Sequence, residues 1–223
     1  MAEFWHNCRY TPILIAEGRK PSGPNTSPEG LRLSATTNTF QQNQLLDYKM
    51  SQTRGEVIAD GLKLSIGHAQ QLLDGVTPEQ FARFATPGGK TVESNHPAFI
   101  YGHLALYASR VVQMSGRKAT LAPENFDELF SNNATCVDDP DGSVYPPMDV
   151  VTDVFFSGYQ AALDAVTAAS DESLANPNPA GGKLTERFPT VGSMCNFMSC
   201  GHIMMHLGQM SAWRRMQGLG PAG

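Results

Sequence analysis

Gly201-His202-Ile203-Met204-Met205-His206-Leu207-Gly208-Gln209 is the stretch that decides how the chain is read. On a helix, two histidines four residues apart lie one above the other on the same face. Both imidazoles then reach a common point, as in helical zinc sites. At about 3.6 residues per turn, Val191, Cys195, Met198, Ser199, His202, His206, Gln209 and Trp213 share one stripe. The pair therefore falls in the middle of the apolar side. Neutral imidazoles in a core need polar partners, and one metal ion satisfies both. The plainer alternative is a pair of core histidines bonded to carbonyls or to each other.

The helix carrying the pair is expected over Thr190–Gln217, with Arg214 and Arg215 complementing its own C-terminal dipole and Gly218 ending it. Its outward side carries Phe197, Cys200, Met204 and Leu207, which is too apolar for a free surface and suits a second subunit or a covering N-terminal strap. Upstream, three more long helices follow from residues recurring at three and four. One runs from Thr53 to about Gly75 on Ile58, Leu62, Ser65, Ile66, Ala69, Leu72 and Leu73, with His68 at the edge of the stripe. A second starts at Pro97, capped by His96 or Asn95, and buries Phe99, Ile100, His103, Leu104, Leu106, Tyr107, Val111 and Met114. The third spans about Pro147 to Ala169, with Val151, Phe155, Tyr159, Ala162 and Val166 facing inward.

Short helices are expected after Thr77-Pro78-Glu79-Gln80, which has the form of a capped first turn, and near Pro123–Phe130. Ala119 to Pro147 is otherwise loop, and loops of this length often rim sites. Asn176-Pro-Asn-Pro-Ala-Gly-Gly182 reads as a linker, and no strong strand or repeat is present. Residues 1–48 differ in composition: Pro21, Pro24 and Pro28 with three glycines, then a Thr/Asn/Gln tract, with Tyr10–Ile15 as the one apolar run. This segment is expected to be disordered or loosely packed, and Met50 is a candidate initiator because the periodic sequence starts just after it.

The 223 residues carry a net charge of −5, 41% hydrophobic and 17% charged residues, and no basic block. That balance argues for a soluble globular protein and against nucleic acid as a partner. No apolar run is long enough to span a membrane. The first fifteen residues lack the order of a secretory signal. Cys8, Cys136, Cys195 and Cys200 form no Cys-x-x-Cys, and the last two point about 140° apart on one helix. Reduced thiols in a cytoplasmic protein are the natural reading.

His103 comes from one long helix, and His202 with His206 from another, so three imidazoles converge and leave a divalent ion open positions for water or a small-molecule substrate. The residue after His202 is Ile203 where a zincin protease has its glutamate base, so peptidase chemistry of that kind is not expected. Gln209 is placed to hydrogen-bond a ligand histidine or bound water. Tyr107 and Arg110, one and two turns past His103, are candidates to hold an anionic substrate, against the alternative that Tyr107 is core and Arg110 snorkels outward. Glu93-Ser-Asn-His96 has the Glu-x-x-His spacing of di-iron bundles, but it stands alone across a helix start and is set aside.

Gly102-His103-Leu104-Ala105, followed by His202-x-x-x-His206-x-Gly208-Gln209-x-x-x-x-Arg214-x-x-x-Gly218, resembles the DinB/YfiT-like superfamily over residues 49–220. The resemblance implies an all-α, up-down-down-up four-helix bundle, often a homodimer, binding nickel or zinc through His103, His202 and His206. It further implies thiol S-transferase or isomerase chemistry with a low-molecular-weight thiol. Metal-dependent hydrolysis and a non-catalytic, stress-related metal-binding bundle are the rival readings. The N-terminal segment and the Ala119–Pro147 loop fall outside the pattern, so substrate choice does not carry over.

Overall fold

The computed structural model describes residues 52–222. The expectations for segment 1–48, for Tyr10–Ile15, for Cys8 and for Met50 lie outside those residues. Among the described residues the chain is all-α, with two isolated bridges (Ala85 to Val92 and Pro177 to Thr190) and no strand.

Helix α1, Arg54–Leu72, begins at a full capping box: the Thr53 hydroxyl accepts from Glu56 N–H and the Glu56 carboxylate accepts from Thr53 N–H. Those two bonds satisfy donors that a helix start leaves without partners. Thr77 and Gln80 repeat the device at α2, Pro78–Phe81. Helix α3, Pro97–Met114, is capped by His96, whose Nδ1 accepts from Phe99 N–H while Nε2–H donates to the Val137 carbonyl at 2.9 Å. That pair of bonds fixes the tautomer of His96 and removes it from any metal role. Helix α4, Asn125–Phe130, sits in the long loop, and α5, Met148–Thr167, follows it.

Two short helices were not legible in the sequence: α6, Asp171–Ala175, capped by Ser170, and α7, Gly182–Arg187. The supposed linker between them is a built turn. Asn178 is buried, its side chain donates to the Phe188 carbonyl at 2.8 Å and accepts from Ala180 N–H at 3.0 Å.

The last long helix is interrupted. Helix α8, Val191–Asn196, passes through a π-helical turn, Phe197–His202, into α9, Ile203–Met216. A π-turn holds one residue more than the α ladder allows, so the buried face advances by one position. Val191, Met194, Cys195, Met198, Ser199 and His202 are buried before and at the turn; Ile203, Leu207, Met210, Trp213 and Arg214 are buried after it. Past His202 the expected stripe holds only in part: Trp213 is fully buried and His206 stays in the cluster. Leu207, expected on the outward side, is fully buried, and Gln209, expected inward, is exposed. The outward patch shrinks accordingly: Phe197 stacks on Phe188 at 4.3 Å and Cys200 packs on Gly61, leaving Met204 and Met205 at 40% and 44% exposure.

The four long helical segments close around one core. Helix α3 packs along α5, α1 packs on α5, and the π-turn with α9 packs on both α1 and α3. Trp213, Tyr101, Tyr159, Phe155, Leu62 and Ile100 are fully buried there. Each buried side chain of this size contributes about 1.5–3 kcal/mol or more, whereas the exposed Lys63–Asp60 pair contributes about 0–1 kcal/mol. Apolar burial holds the fold.

Arg214 is a buried cation at the edge of that core. It was expected to face the end of its own helix. Instead its guanidinium donates to the carbonyls of Leu72, at 2.8 Å, and Asp74, and so caps the C-terminus of α1. The Leu72 carbonyl belongs to the last turn of α1, where carbonyls have no partner within the helix, and Leu72 is fully buried. Arg215 stays exposed and bonds to Ser211.

Candidate metal centre

Three elements meet at one point. His103 stands mid-way along α3, His202 ends the π-turn, and His206 lies one turn into α9. Their ring centroids are separated by 5.5 Å (103 to 202), 4.6 Å (103 to 206) and 4.8 Å (202 to 206). One nitrogen from each ring lies within 4.8 Å of the other two. Tetrahedral bonds of about 2.0–2.1 Å to a shared ion bring such nitrogens to about 3.3–3.4 Å, so the rings would close inward on binding.

The rings are aimed by their second nitrogens. His103 donates Nδ1–H to the Phe130 carbonyl at 2.7 Å, which leaves Nε2 with its lone pair free. His206 donates Nδ1–H to Gln209 Oε1 at 3.2 Å, with the same result. Gln209 Oε1 also accepts from Asn95 Nδ2–H at 3.1 Å, so the α3 entrance and α9 are tied across the site. Such outer partners fix the tautomer and raise the basicity of metal-binding imidazoles. His202 is different: its Nδ1 is buried with no hydrogen-bond partner.

Gly102 explains how Phe130 reaches His103. A Cβ at residue 102 would lie 2.6 Å from three carbons of the Phe130 ring, so only glycine lets α4 end directly over α3. The ring is held there by Phe126 at 5.0 Å and Tyr145 at 5.6 Å.

The surroundings keep the imidazoles neutral. Burial pushes His202 down to about 3, with further repulsion from His206, His103 and Arg110. Burial and His103 push His206 down to about 4, opposed by the Gln209 bond. His103 is lowered by burial and Arg110, against the Phe130 carbonyl. Neutral imidazole is the form that binds metal. No carboxylate belongs to the cluster among the described residues. Three neutral nitrogen donors fit a divalent first-row ion with open coordination positions.

Tyr107 is buried beside the cluster and Arg110 is exposed, the arrangement of the alternative in which Tyr107 is core and Arg110 turns outward. The buried Tyr107 ring lies 4.4 Å from His202 and 4.9 Å from His103, and its hydroxyl donates to Asn132 Oδ1 at 2.8 Å. The exposed Arg110 guanidinium lies 4.6 Å over the Tyr107 ring. The long loop therefore does border the site, through the Phe130 carbonyl and Asn132. Neither was identifiable beforehand, since a main-chain carbonyl has no sequence signature. Asn95 was considered only as a helix cap. His68 stays at the half-buried edge of α1. A groove of about 710 Å³ between the end of α1 and the start of α5 is lined by Gln70, Asp74, Met148 and Phe156, and none of the three histidines lines it.

No protein-family model matches the chain, and no curated protein matches it.

Proposed function

We propose that the chain is a divalent-metal-binding protein of the DinB/YfiT-like kind, built as an up-down-down-up four-helix bundle. Its proposed activity is metal-dependent transfer of a low-molecular-weight thiol to small electrophiles, with nickel or zinc as the ion. The observation that carries this reading is the convergence of three neutral imidazoles, two of them with Nδ1–H already committed to a carbonyl-type acceptor. His103, His202 and His206 would hold the ion. When bound, it supplies Lewis acidity that favours a thiolate over its thiol.

The chain's own residues support an external thiol. Burial pushes the thiols of Cys195 and Cys200 upward, and that of Cys136 up to about 11, so among the described residues no cysteine is a ready nucleophile. With three neutral ligands and no carboxylate in the cluster, the protein leaves the ion's positive charge for an anionic ligand to balance. Arg110, poised over Tyr107, adds a positive group suited to orienting a carboxylate on the thiol or the substrate. The missing carboxylate also weighs against metal-dependent hydrolysis, which wants a general base beside the ion. Cytoplasmic location and a homodimer belong to this proposal; among the described residues no helix is long and apolar enough to cross a membrane.

Elemental analysis of the purified protein, followed by thiol-consumption assays with reactive electrophiles, tests both halves. One ion per chain is expected, lost in His206→Ala; full occupancy in that variant overturns the ligand assignment. Thermal stabilisation by metal without any thiol turnover would favour the non-catalytic bundle instead.

A further inference from the structure

We infer that Ser199 positions His202 through one buried water, completing the set of Nδ1–H anchors around the metal centre. The inference rests on the metal-site reading above and deepens it. Each of the other two imidazoles has its Nδ1–H held, by the Phe130 carbonyl and by Gln209. His202 Nδ1 is buried and unpartnered, and so is the Ser199 hydroxyl, three residues earlier on the same inner face. Residues three apart on a helix are neighbours, about 5–6 Å between Cβ atoms. No direct bond joins these two neighbours, since each atom lacks any partner, and a single bridging molecule suits the gap between them.

The Ser199 hydroxyl is unusual in this chain. Ser65, Thr152, Ser157 and Thr167, each inside a long helix, donate to the carbonyl four residues back at 3.0, 2.8, 2.6 and 2.7 Å. Ser199 makes no such bond. It lies within the π-turn, where the ladder runs to the fifth residue and the fourth carbonyl is displaced. The turn thus frees a buried hydroxyl that an α-helix would have occupied with its own backbone. Two unpaired polar groups in an apolar wall each cost about 1–3 kcal/mol, and one water with a partner on either side satisfies both. Anchored this way, His202 carries its proton on Nδ1 and presents Nε2 to the ion, as His103 and His206 do.

Imidazole nitrogen NMR of the metal-free protein, compared with Ser199→Ala, tests the anchor without requiring the metal. The wild type is expected to show His202 protonated at Nδ1; Ser199→Ala should show averaging between the two tautomers with unchanged helicity. Zinc affinity, measured by competition with a chromophoric chelator, should fall about 10–100-fold in the variant. A wild-type His202 protonated at Nε2, or a variant with the wild-type tautomer and affinity, overturns the role of Ser199. Wild-type protein that binds no zinc at all would sink the metal-site reading, and the tautomer comparison would still decide whether Ser199 holds His202.

Discussion

His103 and Phe130 are joined twice over: the imidazole donates to the Phe130 carbonyl at 2.7 Å, while the Phe130 ring covers the bare Cα of Gly102, the residue before it. One aromatic residue thus sets both the packing of α4 on α3 and the orientation of a candidate ligand.

Gly102→Ala should separate those two joints. The new methyl would push a fully buried ring that has aromatic neighbours on two sides. Overpacking of this kind costs about 1–3 kcal/mol. Because the carbonyl moves with the ring, metal affinity should fall together with the urea midpoint. Unchanged affinity in a destabilised protein would show that the Phe130 bond does not orient His103.

Gln209→Ala should do the opposite. Its side chain is exposed, so stability should stay within about 0.5 kcal/mol of wild type. Its Oε1 anchors His206, so metal affinity should drop about 10–100-fold by chelator competition. Asn95→Ala, which removes only the support of Gln209, should give a smaller loss in the same direction.

Arg214→Met keeps the apolar stem and removes the cap on α1. The Leu72 and Asp74 carbonyls lose a charged donor, and the expected cost is about 1.5–3 kcal/mol by urea unfolding. Arg214→Lys should recover part of it, since an ammonium keeps a charged donor but lacks the second nitrogen that reaches the Leu219 carbonyl. A neutral Arg214→Met would mean that water reaches the end of α1.

His96 makes stability depend on pH. Burial holds its folded pKa below the usual value, opposed by the Val137 carbonyl bond and by Asp138 and Asp139. A depressed folded pKa stabilises the native state above the unfolded pKa of about 6.5 and loses that contribution as pH falls. The three site histidines are shifted the same way and add to the slope. His96→Asn, which can cap α3 but cannot titrate, isolates the residue: its stability deficit at about pH 7.5 should narrow at about pH 5.5. A deficit independent of pH would place the His96 contribution entirely in packing.

The sequence made the four long helices legible because their apolar residues recur at helical intervals and their ends carry recognisable caps, such as Thr53 with Glu56 and His96 before Pro97. The three histidines were legible for the same reason, since His103 and His202 sit at the centre of buried stripes. Periodicity failed at the π-turn. One extra residue leaves composition untouched but advances the buried face, so Leu207 and Gln209 were assigned to the wrong faces while Trp213 kept its buried place. Partners defined by backbone atoms or by long-range placement, such as the Phe130 carbonyl, Asn132 and the α1 carbonyls under Arg214, have no local pattern to read.

The wide turn at 197–202 also divides the final helix mechanically. Its upstream half packs on α6, α1 and α3, and its downstream half on α1 and α3. A rod of continuous α ladder would pass any twist or slide from one half to the other. The extra residue, placed where His202 sits, gives the His206 end a register of its own, offset from the base of the rod.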